Sequence, residues 1–181
     1  MNLAAQILVF LADALAGFFG ALFLLRFAMQ AFRVSFSGPV GHFVVTLTDW
    51  AVRPLRRVIP GLFGLDLASL VAALALQALV AGLLFGLLGR VLPGDGLDLV
   101  LAILWAALRG TLRLAVYLLI GVLIVQAVLS WVNPYSPLAG PANQLTRPFL
   151  APIRKVLPTF SGIDLSPLVA ILLAQVVLML L

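Results

Sequence analysis

Four apolar stretches run along the chain, grouped in two pairs, and a polar stretch rich in proline and arginine sits inside each pair. Leu67–Gly89 carries no charge and is the clearest membrane span, since about 20 mainly apolar residues cross a bilayer core. Leu114–Trp131 is a second uncharged run, and Leu165–Leu181 a third of barely sufficient length. The first stretch runs from Leu3 to Phe32, broken by Asp13 and Arg26, and is too long for an untilted span. Lining Phe19 up with Tyr117 of the second half puts its core at Ala14–Phe32. Residues 3–12 then correspond to 101–110; both are outer ends of long tilted helices or short interfacial helices. The pattern predicts an all-α integral membrane protein with four transmembrane helices.

The pairs are related. Leu47–Leu70 lies over Leu145–Leu168 without a gap, at an offset of 98, with ten identical positions. Shared leucines mean little in so apolar a chain. Shared Thr48/Thr146, Pro54/Pro152, Arg56/Arg154, Pro60/Pro158, Gly64/Gly162 and Asp66/Asp164 mean more. The chain reads as an internal duplication: a first repeat over 1–92, a linker turn over 93–97, and a second repeat over 98–181. Leu92-Pro-Gly-Asp-Gly96 is a turn signal. Two spans per repeat is an even number, so the repeats share one orientation and are parallel rather than inverted.

Composition agrees. Hydrophobic residues make up 64% of the 181 and charged residues 9%, against about 25% in soluble domains. The Lys and Arg residues are unevenly placed. Seven lie in the two polar loops, roughly 33–65 and 132–163: Arg33, Arg53, Arg56, Arg57, Arg147, Arg154 and Lys155. Three (Arg90, Arg109 and Arg113) flank the opposite connection. The loops are therefore expected in the cytoplasm and both termini outside, in a bacterial inner membrane. No basic segment precedes the first apolar run, which reads as a retained helix rather than a cleaved signal.

The loops carry the candidate chemistry. Their prolines are expected to deny a continuous helix, although an interfacial helix fits part of each loop. Arg53, Arg56, Arg57, Arg147, Arg154 and Lys155 alternate with apolar residues, as suits a segment that anchors in headgroups or docks a partner; each Lys or Arg near an anionic surface contributes about 1 kcal/mol. Asp66 and Asp164 stand just before uncharged spans and are read as helix caps, with Gly64 and Gly162 permitting the tight turn and Pro167 suiting the first helical turn. A paired carboxylate site for a cation is the other reading. Arg26 is the deepest charge, and it either snorkels to the loop face or pairs with Asp66 or Asp164. Gln77, Gln126 and Gln175 sit at comparable depths and, with Arg26, are candidates for a polar seam between helices.

Other chemistry is not expected. With no cysteine, no glutamate and one histidine, His42, the chain offers no thiolate or zinc site and no base beside its serines. Neither enzymatic activity nor a cofactor is expected, nor nucleic-acid binding, despite the net charge of +5. The partners expected are anionic lipid headgroups, a protein partner, and a second copy of the chain.

Tyr117-Leu-Leu-Ile, Val-Leu-Ser-Trp-Val-Asn-Pro134, the loop Leu-Thr-Arg-Pro-Phe-Leu-Ala-Pro-Ile-Arg-Lys-Val-Leu-Pro158 and Gly-Ile-Asp-Leu-Ser-Pro-Leu168 resemble the YggT (YlmG) family in its two-repeat bacterial form. The resemblance is strong over 114–181 and weaker over 16–90. The family's usual arginine five residues before the tryptophan is Gln126 here. The resemblance implies a bacterial inner-membrane or plastid-membrane protein without established catalytic residues. Such proteins are linked to cell division, envelope or nucleoid organisation, osmotic tolerance and, in plastids, cytochrome assembly. The role expected is a scaffold or assembly factor; the alternative is a small channel or transporter component.

The parallel arrangement has a direct check. Cysteines placed at Ser37 and Ser136 in this cysteine-free chain are expected to react with an impermeant thiol reagent from the cytoplasmic side only, and labelling from opposite sides refutes it.

Overall fold

A computed structural model describes residues 3–61, 64–87, 96–156 and 164–181. Among them the protein is all-helical: α1 (Leu3–Ala31), α2 (Pro39–Val58), α3 (Leu67–Leu87), α4 (Gly96–Val132), α5 (Ala139–Val156) and α6 (Ser166–Leu180). Three helices, α1, α3 and α4, are long and apolar enough to cross a membrane, which marks a membrane-type protein. The fourth expected span, α6, has 15 residues, about 22 Å, and is short of the roughly 30 Å hydrocarbon core. Most of the linker turn lies outside the described residues, as do Gly162 and Pro158.

The two outer extensions are continuous helix. α1 runs 29 residues and α4 runs 37, about 43 and 55 Å. Neither contains a proline, so no residue forces a break before the core of the span.

The expectation that proline prevents a continuous loop helix is overturned. α2 includes Pro54, and α5 includes Pro148 and Pro152. These prolines are on the exposed sides of their helices. The opposite faces are buried at helical spacing: Gly41, Val44, Thr48 and Val52 in α2, and Ala142, Leu145, Thr146 and Leu150 in α5. Burial of that stripe outweighs the lost backbone bonds, because tertiary packing dominates helix stability in folded chains.

The core is built where α1 packs on α3 and α3 on α4. α1 also contacts α2, and α2 contacts α3; α4 contacts α5 and α6, and α5 contacts α6. Phe23, Val52, Ala68 and Ala72 form one buried cluster, with Phe19 packed on it. Leu123, Leu150 and Ala170 form another, with Leu119 packed on it. Val52/Leu150 and Ala72/Ala170 keep the offset of 98, whereas Phe19/Leu119 and Phe23/Leu123 are 100 apart. At the offset of 100, Gln126 is the residue that matches Arg26.

Small residues let the helices approach. A methyl group at Gly110 would come within 2.8 Å of the Gln77 Oε1, and one at Gly20 within 2.7 Å of Leu114. The end of the Gln77 side chain of α3 therefore reaches α4 at Gly110, and a larger residue there would displace it.

α1 ends in a Schellman motif. The Val34 N–H donates to the Met29 carbonyl at 2.7 Å, and the Arg33 N–H to Gln30 at 3.1 Å. Val34 and Met29 are buried in one cluster, the apolar contact that accompanies this cap. The left-handed position, usually glycine, holds Arg33 at φ 56°. Replacing Arg33 with glycine is expected to relieve about 1 kcal/mol and raise the thermal midpoint in detergent micelles by about 2 °C. An unchanged or lower midpoint would show that the arginine side chain offsets its backbone strain.

Candidate functional site

The charges that sequence reading scatters over a span, a loop and a helix start come together where α1, α2 and α3 meet. Arg26 is 4% exposed and points from α1 toward α2. Its Nη1 donates to the Thr48 hydroxyl at 2.7 Å and to Asp49 Oδ1 at 2.8 Å. Its Nε lies 3.4 Å from Asp66 Oδ2, an ion-pair distance without hydrogen-bond geometry. Asp66, 2% exposed, receives Arg56 from α2 as a fork: Nε at 3.2 Å on Oδ1 and Nη2 at 2.6 Å on Oδ2. The Ser69 hydroxyl adds a third bond to Oδ2 at 2.6 Å. The Thr48 hydroxyl donates to the Val44 carbonyl at 2.6 Å, which leaves its oxygen free to accept from Arg26.

Asp66 stands at the position expected for a helix cap, but its carboxylate serves arginine and a serine hydroxyl. Its backbone carbonyl, not its side chain, opens α3 by accepting from Ser69 and Leu70. Gly64 supplies the turn into that helix at φ 80°, and its carbonyl accepts from Gln30 Nε2 at 3.1 Å.

The α5–α6 junction has a leaner version. Arg154 Nε donates to Asp164 Oδ2 at 2.9 Å, and the Ser166 N–H donates to Oδ1 at 2.9 Å. Asp164 thus caps a free N–H at the start of α6 while holding α5. Thr146, like Thr48, is fully buried and donates to a carbonyl one turn back, that of Ala142, at 2.9 Å. Among the described residues no buried cation matches Arg26; Gln126 has a buried Oε1 without a hydrogen-bond partner among them. The position of Asp49 is Arg147, which is exposed.

Electrostatics follow the geometry. Burial pushes the Asp66 carboxyl up, but the bonds from Arg56 and Ser69 and the charges of Arg56 and Arg26 outweigh it, so its pKa lies below the usual carboxylate range. Asp164 behaves alike: burial raises it, and Ser166 and Arg154 more than reverse that. Arg56 is raised, chiefly by its bond to Asp66.

A model of the CCB3/YggT family matches residues 5–88 and 105–181, most of the chain. The chain belongs to the CCB3/YggT family. It is 38% identical over 183 residues to the uncharacterized protein PA0392 of Pseudomonas aeruginosa, covering 99% of this chain and 89% of that one. It is 37% identical over 172 residues to the uncharacterized protein YggT of Escherichia coli K12, covering 94% and 86%. A Vibrio alginolyticus relative is 35% identical over 161 residues, covering 88% and 85%. No solved structure matches.

In this CCB3/YggT member the six basic residues singled out in the loops divide in two. Arg56 and Arg154 are bound to Asp66 and Asp164. Arg57, Arg147 and Lys155 are exposed, as is Arg53, whose only contact with an acid among the described residues is a loose one to Asp49 at 3.7 Å. The polar seam does not assemble as expected: Arg26 is engaged with α2 and α3, Gln77 lies against Gly110, and Gln175 is exposed. Thr48, Asp49 and Ser69 are the site residues that sequence reading overlooked. Signals pointed to two of them, threonine shared at 48 and 146 and serine three residues after Asp66, and none to Asp49.

Asp66→Asn is expected to cost about 3 kcal/mol of stability, since it strands buried Arg26 beside one remaining acid. Asp164→Asn, at a site 28% exposed, costs about 1 kcal/mol. Because both folded pKa values lie below the unfolded ones, their stabilisation is complete above the carboxylate range and is lost as pH falls through the folded values. Denaturant titrations of both variants at neutral and acid pH check the order; equal losses at neutral pH would contradict it.

Proposed function

We propose that the protein is a non-enzymatic scaffold or assembly factor of the bacterial inner membrane, acting in envelope or cell-division organisation. It is built as two parallel repeats with four spans, and both termini are periplasmic. The family match over two segments, the like contacts among α1–α3 and among α4–α6, and the Arg–Asp bridges 98 residues apart support that architecture. α6 completes the fourth span where the bilayer thins around a short helix.

The observation that carries the reading is a division of labour on α2 and α5. One arginine of each helix bridges to the start of the next helix, and the other basic residues face outward beside a buried apolar stripe. This gives a rigid, positively charged cytoplasmic platform suited to anionic headgroups and to an acidic partner surface. A small channel or transporter component in osmotic or ion homeostasis is the competing reading, and Arg26 buried in a span favours it. Against it, the Arg26 guanidinium is engaged by Thr48, Asp49 and Asp66, and the cavities of about 720 and 550 Å³ have almost wholly apolar linings.

Crosslinking in native membranes is expected to capture a protein partner that is lost in an Arg53/Arg57/Arg147→Ser variant, which spares both bridging arginines. Specific ion flux through the purified wild-type protein in liposomes would overturn the scaffold reading.

A further inference from the structure

A groove of about 720 Å³ opens between α4, α5 and α6. Val116 and Leu119 form its α4 wall, Pro148 and Pro152 lie on its α5 side, and Ala170 and Leu173 on its α6 side. The corresponding place among α1, α2 and α3 carries an aromatic pair instead, with Trp50 67% exposed on its outer side. There Phe19 stands where α4 has Leu119, and Trp50 where α5 has Pro148. The two rings meet edge to face, 6.0 Å apart at 88°, and Trp50 also leans on Phe23 at 6.4 Å. The second half has neither ring at those places, and Leu119 and Pro148 line the groove.

We propose that this groove binds one acyl chain of an anionic phospholipid, with its phosphate on Lys155. Three observations select that occupant. The lining is apolar, and a cavity of this size lies in the range of small-molecule sites. The groove begins under α5, an amphipathic helix with a basic end, and follows α6 from Val169 to Val177, about 12 Å into the apolar layer. That is the course of a lipid whose headgroup lies at the interface. Lys155 is seven residues on from Pro148, about two turns along α5, beside the lining residue Val156 at the groove's edge, and it is exposed and without an acidic partner among the described residues. Arg154, its neighbour, is already bound to Asp164. An empty apolar groove in a bilayer fills with acyl chain, and the lysine turns a general contact into a preference for negative headgroups. The inference deepens the reading of α5 as a headgroup-facing helix and depends on its lying at the interface.

The test is native mass spectrometry of the purified full chain in detergent with equal phosphatidylglycerol and phosphatidylcholine. One retained lipid per chain is expected, with phosphatidylglycerol favoured about fivefold, the equivalent of one lysine–phosphate contact. Lys155→Gln is expected to abolish that preference while lipid is still retained. Leu119→Phe/Pro148→Trp, which transplants the aromatic pair of the first half, is expected to abolish retention; Leu173→Phe is the substitute if size exclusion shows the double variant misfolded. Retention unchanged in the filled-groove variant, or no headgroup preference in the wild type, would overturn the proposal. Failure of the scaffold reading registers separately, in the crosslinking of Arg53/Arg57/Arg147→Ser, which leaves the groove and Lys155 intact.

Discussion

The Asp66 carboxylate is the point on which the first half of the molecule turns. It is almost wholly buried, it faces a guanidinium from α1 and another from α2, and it sits at the first residue before α3. Three helices are thereby referred to one pair of oxygens. Apolar packing in a bilayer is permissive, because lipid tails are as apolar as the side chains they touch. It brings helices together without fixing their register. A buried charge with defined partners does fix it, since each misplacement strands an ion in a medium that cannot solvate it. Specificity here comes from a few polar atoms and cohesion from the many apolar ones.

The second half reaches the same arrangement with less charge. Arg154 and Asp164 keep the tie between α5 and α6, but α4 contributes a glutamine where α1 has arginine, and the acid beside the shared threonine has become a basic, exposed residue. The span cation and its acid are present together or absent together: Arg26 pairs with Asp49, and the half with Gln126 has Arg147 in place of that acid. The half with the full ion cluster also has the aromatic pair of Phe19 and Trp50, and the half with the reduced cluster has the groove between α4, α5 and α6.

Much of this was legible in the sequence because the bilayer simplifies the code. Long uncharged runs can only be helices, and α3 starts at Leu67 as its pattern predicts. The repeat singled out Arg56, Asp66, Arg154 and Asp164, and those four make the two bridges. Pairings that depend on three-dimensional register were harder to read. Nothing in one dimension shows that Asp49 lies against a residue 23 positions earlier. The offset of 100 between the packed residues of α1 and α4 is hard to read because leucine, valine and alanine repeat too often to anchor an alignment. Proline in α2 and α5 misled for a different reason: its penalty is local, whereas the burial that overcomes it comes from other helices.

Those same prolines set a depth. A proline at position i leaves the carbonyl at i−4 without its helical donor, so Trp50 in α2 and Gln144 and Pro148 in α5 each carry a carbonyl that the helix cannot serve. Such oxygens find water or a lipid hydroxyl in the headgroup layer and nothing at all among acyl chains. In the proposed membrane arrangement α2 and α5 are thus buoyant. The apolar stripe would draw them down, the unserved carbonyls would hold them up, and that waterline would be written into the backbone itself, independent of any charge the solution can screen.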